Sequence, residues 1–161
     1  MTVAVWRIAA DTSAYTADDR TGAGANATGG RWNRKGTALI YAASSIALAC
    51  LETVVHFKAS GLPLNRYLVR FDVPDDVWAA AETFNAALHV GWDAQPAGRV
   101  SLDFGDTWAA QQRSAMLRAP SVIVPEEHNI LLNPAHPDFA RFSSTKLRRF
   151  DYDARIQGAA P

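Results

Sequence analysis

Residues 38–59, ALIYAASSIALACLETVVHFKA, decide the fold. Ala38 to Ala43 is a short apolar run with strand character, and Ser44 and Ser45 then offer hydroxyls that can cap a helix. The spacing predicts a helix from Ser45 to about Ala59, stopped by Ser60-Gly61-Leu62-Pro63. Within it Glu52 has Leu48, Ala49, Val55 and His56 as cylinder neighbours, at about 100° per residue. A carboxylate therefore sits at the edge of an apolar stripe. Burying it ionised is costly, so it needs a hydrogen-bonding partner, a raised pKa or a ligand. The plainer alternative is a glutamate that reaches solvent or pairs with a nearby arginine.

Upstream of this unit, Val3 to Ala9 is β-branched and aromatic and reads as a first strand, with Arg7 in its middle. A polar, glycine-rich stretch follows from Asp11 to Gly30, long enough to be a rim or lid for a site. Downstream, Arg66 to Val73 alternates Tyr67, Val69, Phe71 and Val73 against Leu68, Arg70 and Asp72, which is strand periodicity. Pro74-Asp75-Asp76 then starts a helix expected to run to about Leu88, and a Gly/Pro-containing loop follows from Gly91 to Gly98. A further helix is expected over Thr107 to Leu117, strands over Ser121 to Val124 and Ile130 to Leu132, and a last strand in the basic, aromatic tail from Phe142 to Ile156. With no repeat and no linker, the expectation is one α+β domain over residues 1–161, with central mixed or antiparallel β-sheets and flanking helices.

Composition narrows the function classes. The 161 residues are 48% apolar and 20% charged, a globular balance. Sixteen basic residues offset sixteen acidic ones, so net charge draws neither nucleic acid nor an anionic membrane. No run approaches the roughly 18 apolar residues of a membrane span. The single cysteine, Cys50, excludes a disulfide framework and suits a reducing cytoplasm.

Three stretches carry chemistry. Besides Glu52, Gly29-Gly30-Arg31-Trp32-Asn33 places a guanidinium fork after two glycines, a fit for phosphate or pyrophosphate; otherwise Arg31 is a solvated loop residue stacked on Trp32. It is neither a P-loop nor a Rossmann turn. Ser121, in APSVIVP, has Asn129, Asn133 and His136 close behind it. Its hydroxyl either contacts a ligand from a strand end or is satisfied by local backbone, and no Gly-x-Ser-x-Gly elbow surrounds it. The four histidines lack zinc spacing, and His56 and His136 are expected to hydrogen-bond in the core or pocket wall.

Taken together, Trp6-Arg7-Ile8, Gly30-Arg31-Trp32-Asn33, Ile40-Tyr41-Ala42 with the helix ALACLETVVH, Pro120-Ser121 and Asn-x-x-x-Asn-Pro-x-His-Pro resemble the RES-domain family. These are the toxin halves of two-gene toxin–antitoxin modules, named for an Arg, a Glu and a Ser. The resemblance implies an ADP-ribosyltransferase-like, diphtheria-toxin-like fold with NAD⁺ as substrate and no metal. Arg31, Glu52 and Ser121 match the naming positions as catalytic residues. Arg7, Tyr41 and Asn129 join Arg31 and Ser121 as expected NAD⁺ contacts. In these roles Glu52 stabilises oxocarbenium-like charge on the ribose and hydrogen-bonds a ribose hydroxyl. Arg31, with Arg7, holds the pyrophosphate, Tyr41 stacks on nicotinamide and Ser121 positions the nicotinamide ribose. The ADP-ribose acceptor stays open among a protein side chain, phosphate and water. The implied partner is a helix-turn-helix antitoxin that occludes the pocket. Two other readings compete: a non-catalytic nucleotide-binding module, and a nucleic-acid-binding domain built on Arg141 to Arg155.

Overall fold

In the computed structural model, which describes residues 1–57 and 61–157, the first strand β1 (Thr2–Ala9) lies inside the sheet. It pairs antiparallel with β3 (Tyr67–Pro74) from Thr2↔Pro74 to Ala9↔Tyr67, and on its other side meets β2 (Ile40–Ala43) at Trp6↔Ala43. β2 continues antiparallel into β6 (His128–Leu132), and β6 into β5 (Met116–Pro120). The edges are β7 (Ser143–Arg149), antiparallel to β3, and the two-residue β4 (Glu82–Thr83), parallel to β5. The result is one seven-stranded mixed sheet in the order β4-β5-β6-β2-β1-β3-β7. With its few helices it is the α+β architecture expected.

Both faces of the sheet are covered, because successive side chains point to opposite sides. Ile130 and Leu132 join Val5, Val69, Phe71 and Met116 in one cluster, while Leu131 joins Trp32, Leu39, Trp108 and Leu117 in another. A third cluster seats the helix α2 (Ile46–Val54), with Leu48 and Ala49 against Ile8, Ala43 and Leu68. Ser45 caps α2 as expected, its hydroxyl accepting from the Leu48 N–H at 3.1 Å. The tail returns over the same helix: Phe150 and Tyr152 pack on it, and the Tyr152 and Thr53 hydroxyls are 2.7 Å apart.

Several boundaries differ from the sequence reading. α2 ends at Val54 and the chain turns through Val55–Phe57; the expected extension to Ala59 lies outside the described residues. The helix after Pro74, α3 (Asp75–Ala79), is five residues long, because Glu82 and Thr83 are drawn to the sheet edge and Asn85 caps a separate 3₁₀ turn at Ala86–Leu88. The loop from Asp11 to Gly30 contains a short helix, α1 (Ala23–Thr28). The helix expected at Thr107 to Leu117 is α4 (Arg99–Ala110), eight residues earlier at its start. It stops before Gln112, whose φ is 50°, and Met116 and Leu117 are taken into β5. Ser121 to Val124 is not a strand. β5 ends at Pro120, and the Ser121 hydroxyl accepts the N–H groups of Ile123 and Val124, which closes a turn instead. No helix among the described residues is long and apolar enough to cross a membrane.

Candidate active site

Residues of β1, β2 and β6, of the loop Gly29–Trp32 and of the helix α2 line a cleft of about 990 Å³. Arg7 from β1, Arg31 from the loop, Tyr41 from β2, Glu52 from α2 and Asn129 from β6 all line it. Five of the residues expected to form a site, scattered through the chain, thus converge.

Glu52 has found partners. Its Oε1 accepts a hydrogen bond from the Ser121 hydroxyl and one from the Asn129 amide, each at 2.6 Å. Oε2 accepts nothing from the described residues. Ser121 is fully buried and sits behind the carboxylate, beneath the cleft wall, so its hydroxyl touches Glu52 and the local backbone. Of the two alternatives weighed for Ser121, the contacts present are those of a hydroxyl satisfied by local backbone, with its proton given to Glu52.

Arg31 is held at one end. Its Nη1 donates to the carbonyls of Trp92 at 3.1 Å and Ala94 at 2.9 Å, which leaves the rest of the fork for the cleft. Burial pulls its pKa below the ordinary arginine value, against the opposing fields of Asp93, Glu52 and Tyr41. Its neighbour Trp32 is 1% exposed and packs on Phe84 and Trp92, so Arg31 is not a loop arginine stacked in solvent.

Tyr41 braces that loop. Its hydroxyl accepts from the Trp32 N–H at 3.0 Å and donates to Asn33 Oδ1 at 2.7 Å, while burial raises its pKa. A Cβ at Gly30 would lie 2.6 Å from that hydroxyl, so only glycine lets the loop pass. With the hydroxyl engaged, what Tyr41 offers a ligand is its ring.

Arg7 is the opposite case. Its Nε is buried without a hydrogen-bond partner among the described residues, and burial lowers its pKa against the fields of Asp19 and Tyr15. A partnerless buried donor on a cleft wall fits an anion that arrives from outside.

Sequence reasoning missed the wall made by Gln95, Pro96 and Ala97 and the carbonyls that hold Arg31, because the Gly91 to Gly98 stretch reads only as a spacer. It missed Tyr15, for which no pattern signals a site, and the link from Asn129 to Glu52. His56 lines the cleft rim, whereas His136 stands apart and caps a 3₁₀ turn, accepting from the Asp138 N–H. Among the described residues no three His, Cys, Asp or Glu side chains stand together as a metal site. In the basic tail Lys146 pairs with Asp11, Arg149 with Asp151 and Arg155 with Asp153.

The RES domain pattern matches residues 4–153, nearly the whole chain. The chain belongs to the RES domain family. A protein named Prs ADP-ribosylating toxin, from Sphingobium sp. (strain YBL2), is 60% identical to this RES chain over 157 residues, 97% of the chain and 98% of the relative. A Toxin Res of Yersinia enterocolitica is 38% identical over 144 residues, 89% of the chain and 93% of the relative. A Toxin Res of Pseudomonas putida is 33% identical over 154 residues, 94% and 98%.

Proposed function

We propose that this RES chain is an ADP-ribosylating toxin that cleaves the bond between nicotinamide and ribose in NAD⁺ and passes ADP-ribose to an acceptor. The observation that carries the reading is Glu52: a carboxylate with one oxygen tied to the protein and the other free in a cleft flanked by two arginines. When the C1′–N bond breaks, its electron pair leaves with nicotinamide and positive charge grows on the ribose. A carboxylate already fixed in place stabilises that charge without reorganising. Oε2 also suits a ribose hydroxyl. Arg31 and Arg7 hold the diphosphate, and the Tyr41 ring supports the nicotinamide by stacking.

The name of the Sphingobium relative supports a protein side chain as the acceptor. The name Toxin Res supports a toxin–antitoxin setting. In this reading the antitoxin is a helix-turn-helix protein that covers the cleft, and the toxin acts in the cytoplasm. The test is nicotinamide release from NAD⁺ by the pure protein, with lysate, phosphate or water as acceptor. Release is expected, falling about a hundred- to a thousand-fold or more in Glu52→Ala, which should stay folded. No release under any of the three conditions overturns the reading.

A further inference from the structure

We infer that Asn129 is a positioning residue that acts through Glu52: with Ser121 it dedicates Oε1 to the protein and leaves Oε2 as the oxygen that meets the ribose. The inference rests on the reading of the cleft as an NAD⁺ site and replaces the expectation that Asn129 serves as a substrate contact.

The hydrogen-bond directions are determined by counting. A hydroxyl has two acceptor lone pairs and one proton. Ser121 Oγ accepts from Ile123 N and Val124 N, both at 3.1 Å, so its proton is committed to Glu52. The Asn129 amide nitrogen has only protons to give and places one on the same Oε1. An oxygen that accepts two short bonds cannot also carry a proton. The carboxylate is thereby oriented, and its remaining acceptor capacity lies on Oε2.

The clamp is built on rigid elements. Asn129 lies in β6 opposite Ala43 of β2 and Ala119 of β5, laddered on both sides, and Ser121 follows β5 directly. Glu52 comes from α2, the helix that β2 feeds through the Ser45 cap. A strand, β6, and the turn that leaves its neighbour β5 therefore hold a helical carboxylate against the sheet, at an angle set by the core rather than by the ligand. Such supporting partners change turnover by about ten- to a hundred-fold when removed from a site.

The experiment compares Asn129→Ala and the isosteric Asn129→Asp with the unmodified chain by nicotinamide release, NAD⁺ binding by calorimetry, and the Glu52 carboxyl ¹³C resonance without substrate. Asn129→Ala should lower kcat about ten- to a hundred-fold with KM and the binding constant within about two-fold, and Asn129→Asp, which sets an acceptor against Oε1, should lower kcat further. In both variants the Glu52 resonance should move before any substrate is added. Weakened NAD⁺ binding with unchanged kcat makes Asn129 a substrate contact and overturns the inference, as does an unmoved resonance. If the unmodified chain releases no nicotinamide, the NAD⁺-cleaving reading fails, while the substrate-free resonance still decides whether the clamp exists. Should Asn129→Ala not fold, Asn129→Asp, equal in size, supplies the same comparison.

Discussion

A guanidinium whose Nε has no partner inside a protein is tolerated only where something else is gained. Arg7 is such a group, set in the interior strand β1 between Trp6 and Ile8. Arg7→Met keeps the apolar stem and removes the stranded donor. The variant should melt at the same temperature as the parent or above it, because burying an unpaired charge opposes folding. Its affinity for ADP-ribose, read by calorimetry, should fall at least about ten-fold, the loss of a charge-assisted contact. A lower melting point with unaltered affinity would make Arg7 structural. Tyr41→Phe should behave in the reverse way, since the hydroxyl serves the fold. Trp32 N–H and Asn33 Oδ1 both lose their partner, and denaturant unfolding should show a loss of about 1–3 kcal/mol. Glu52 was legible in the sequence because a helix brings Leu48 and Val55 beside it. Its partners were not, since Ser121 and Asn129 are 69 and 77 residues away and no local pattern encodes a contact at that separation.

Elements were readable where local signals and packing agree. β3 carries its alternation openly, β1 its β-branched and aromatic residues and β2 its short apolar run, and α2 carries both a cap and an apolar side. The disagreement is concentrated between Arg99 and Val124. Trp108 to Leu117 has helical composition, yet Met116 and Leu117 fill opposite sides of the sheet, and that burial overrides propensity. The true helix α4 begins earlier and is fitted to Trp32 through Gly105, where a Cβ would stand 1.8 Å from the Trp32 carbonyl oxygen. The obstacle is backbone, which cannot swing aside like a long side chain. Gly105→Ala should therefore destabilise by about 3 kcal/mol or more, despite alanine's better helix propensity. Because Trp32 follows Arg31, the same variant should weaken ADP-ribose binding. A Gly105→Ala chain as stable as the parent would mean that α4 does not rest on Trp32.

At the scale of the whole molecule, strand order was beyond sequence reading: β2 lies between β6 and β1, and nothing local to Ile40–Ala43 selects Leu132 as the partner of Ile40 on one side and Trp6 as the partner of Ala43 on the other. That order is what brings β1, β2, β6 and α2 around one cleft, so ligand binding and folding should be linked. A ligand that binds only the folded chain stabilises it by about 2.7 kcal/mol at one hundred times its dissociation constant. For a domain of this size that corresponds to a rise of about 5–11 °C in the melting temperature. The measurement is cleanest in Glu52→Ala, where NAD⁺ should persist through the scan. NAD⁺ and ADP-ribose should both raise its melting point, because Arg7 and Arg31 are intact and grip the diphosphate the two ligands share. Arg31→Ala should abolish most of the shift, since it removes a cation held in place by the Trp92 and Ala94 carbonyls. Equal shifts in Glu52→Ala and Arg31→Ala would place the diphosphate elsewhere in the cleft and detach Arg31 from substrate binding.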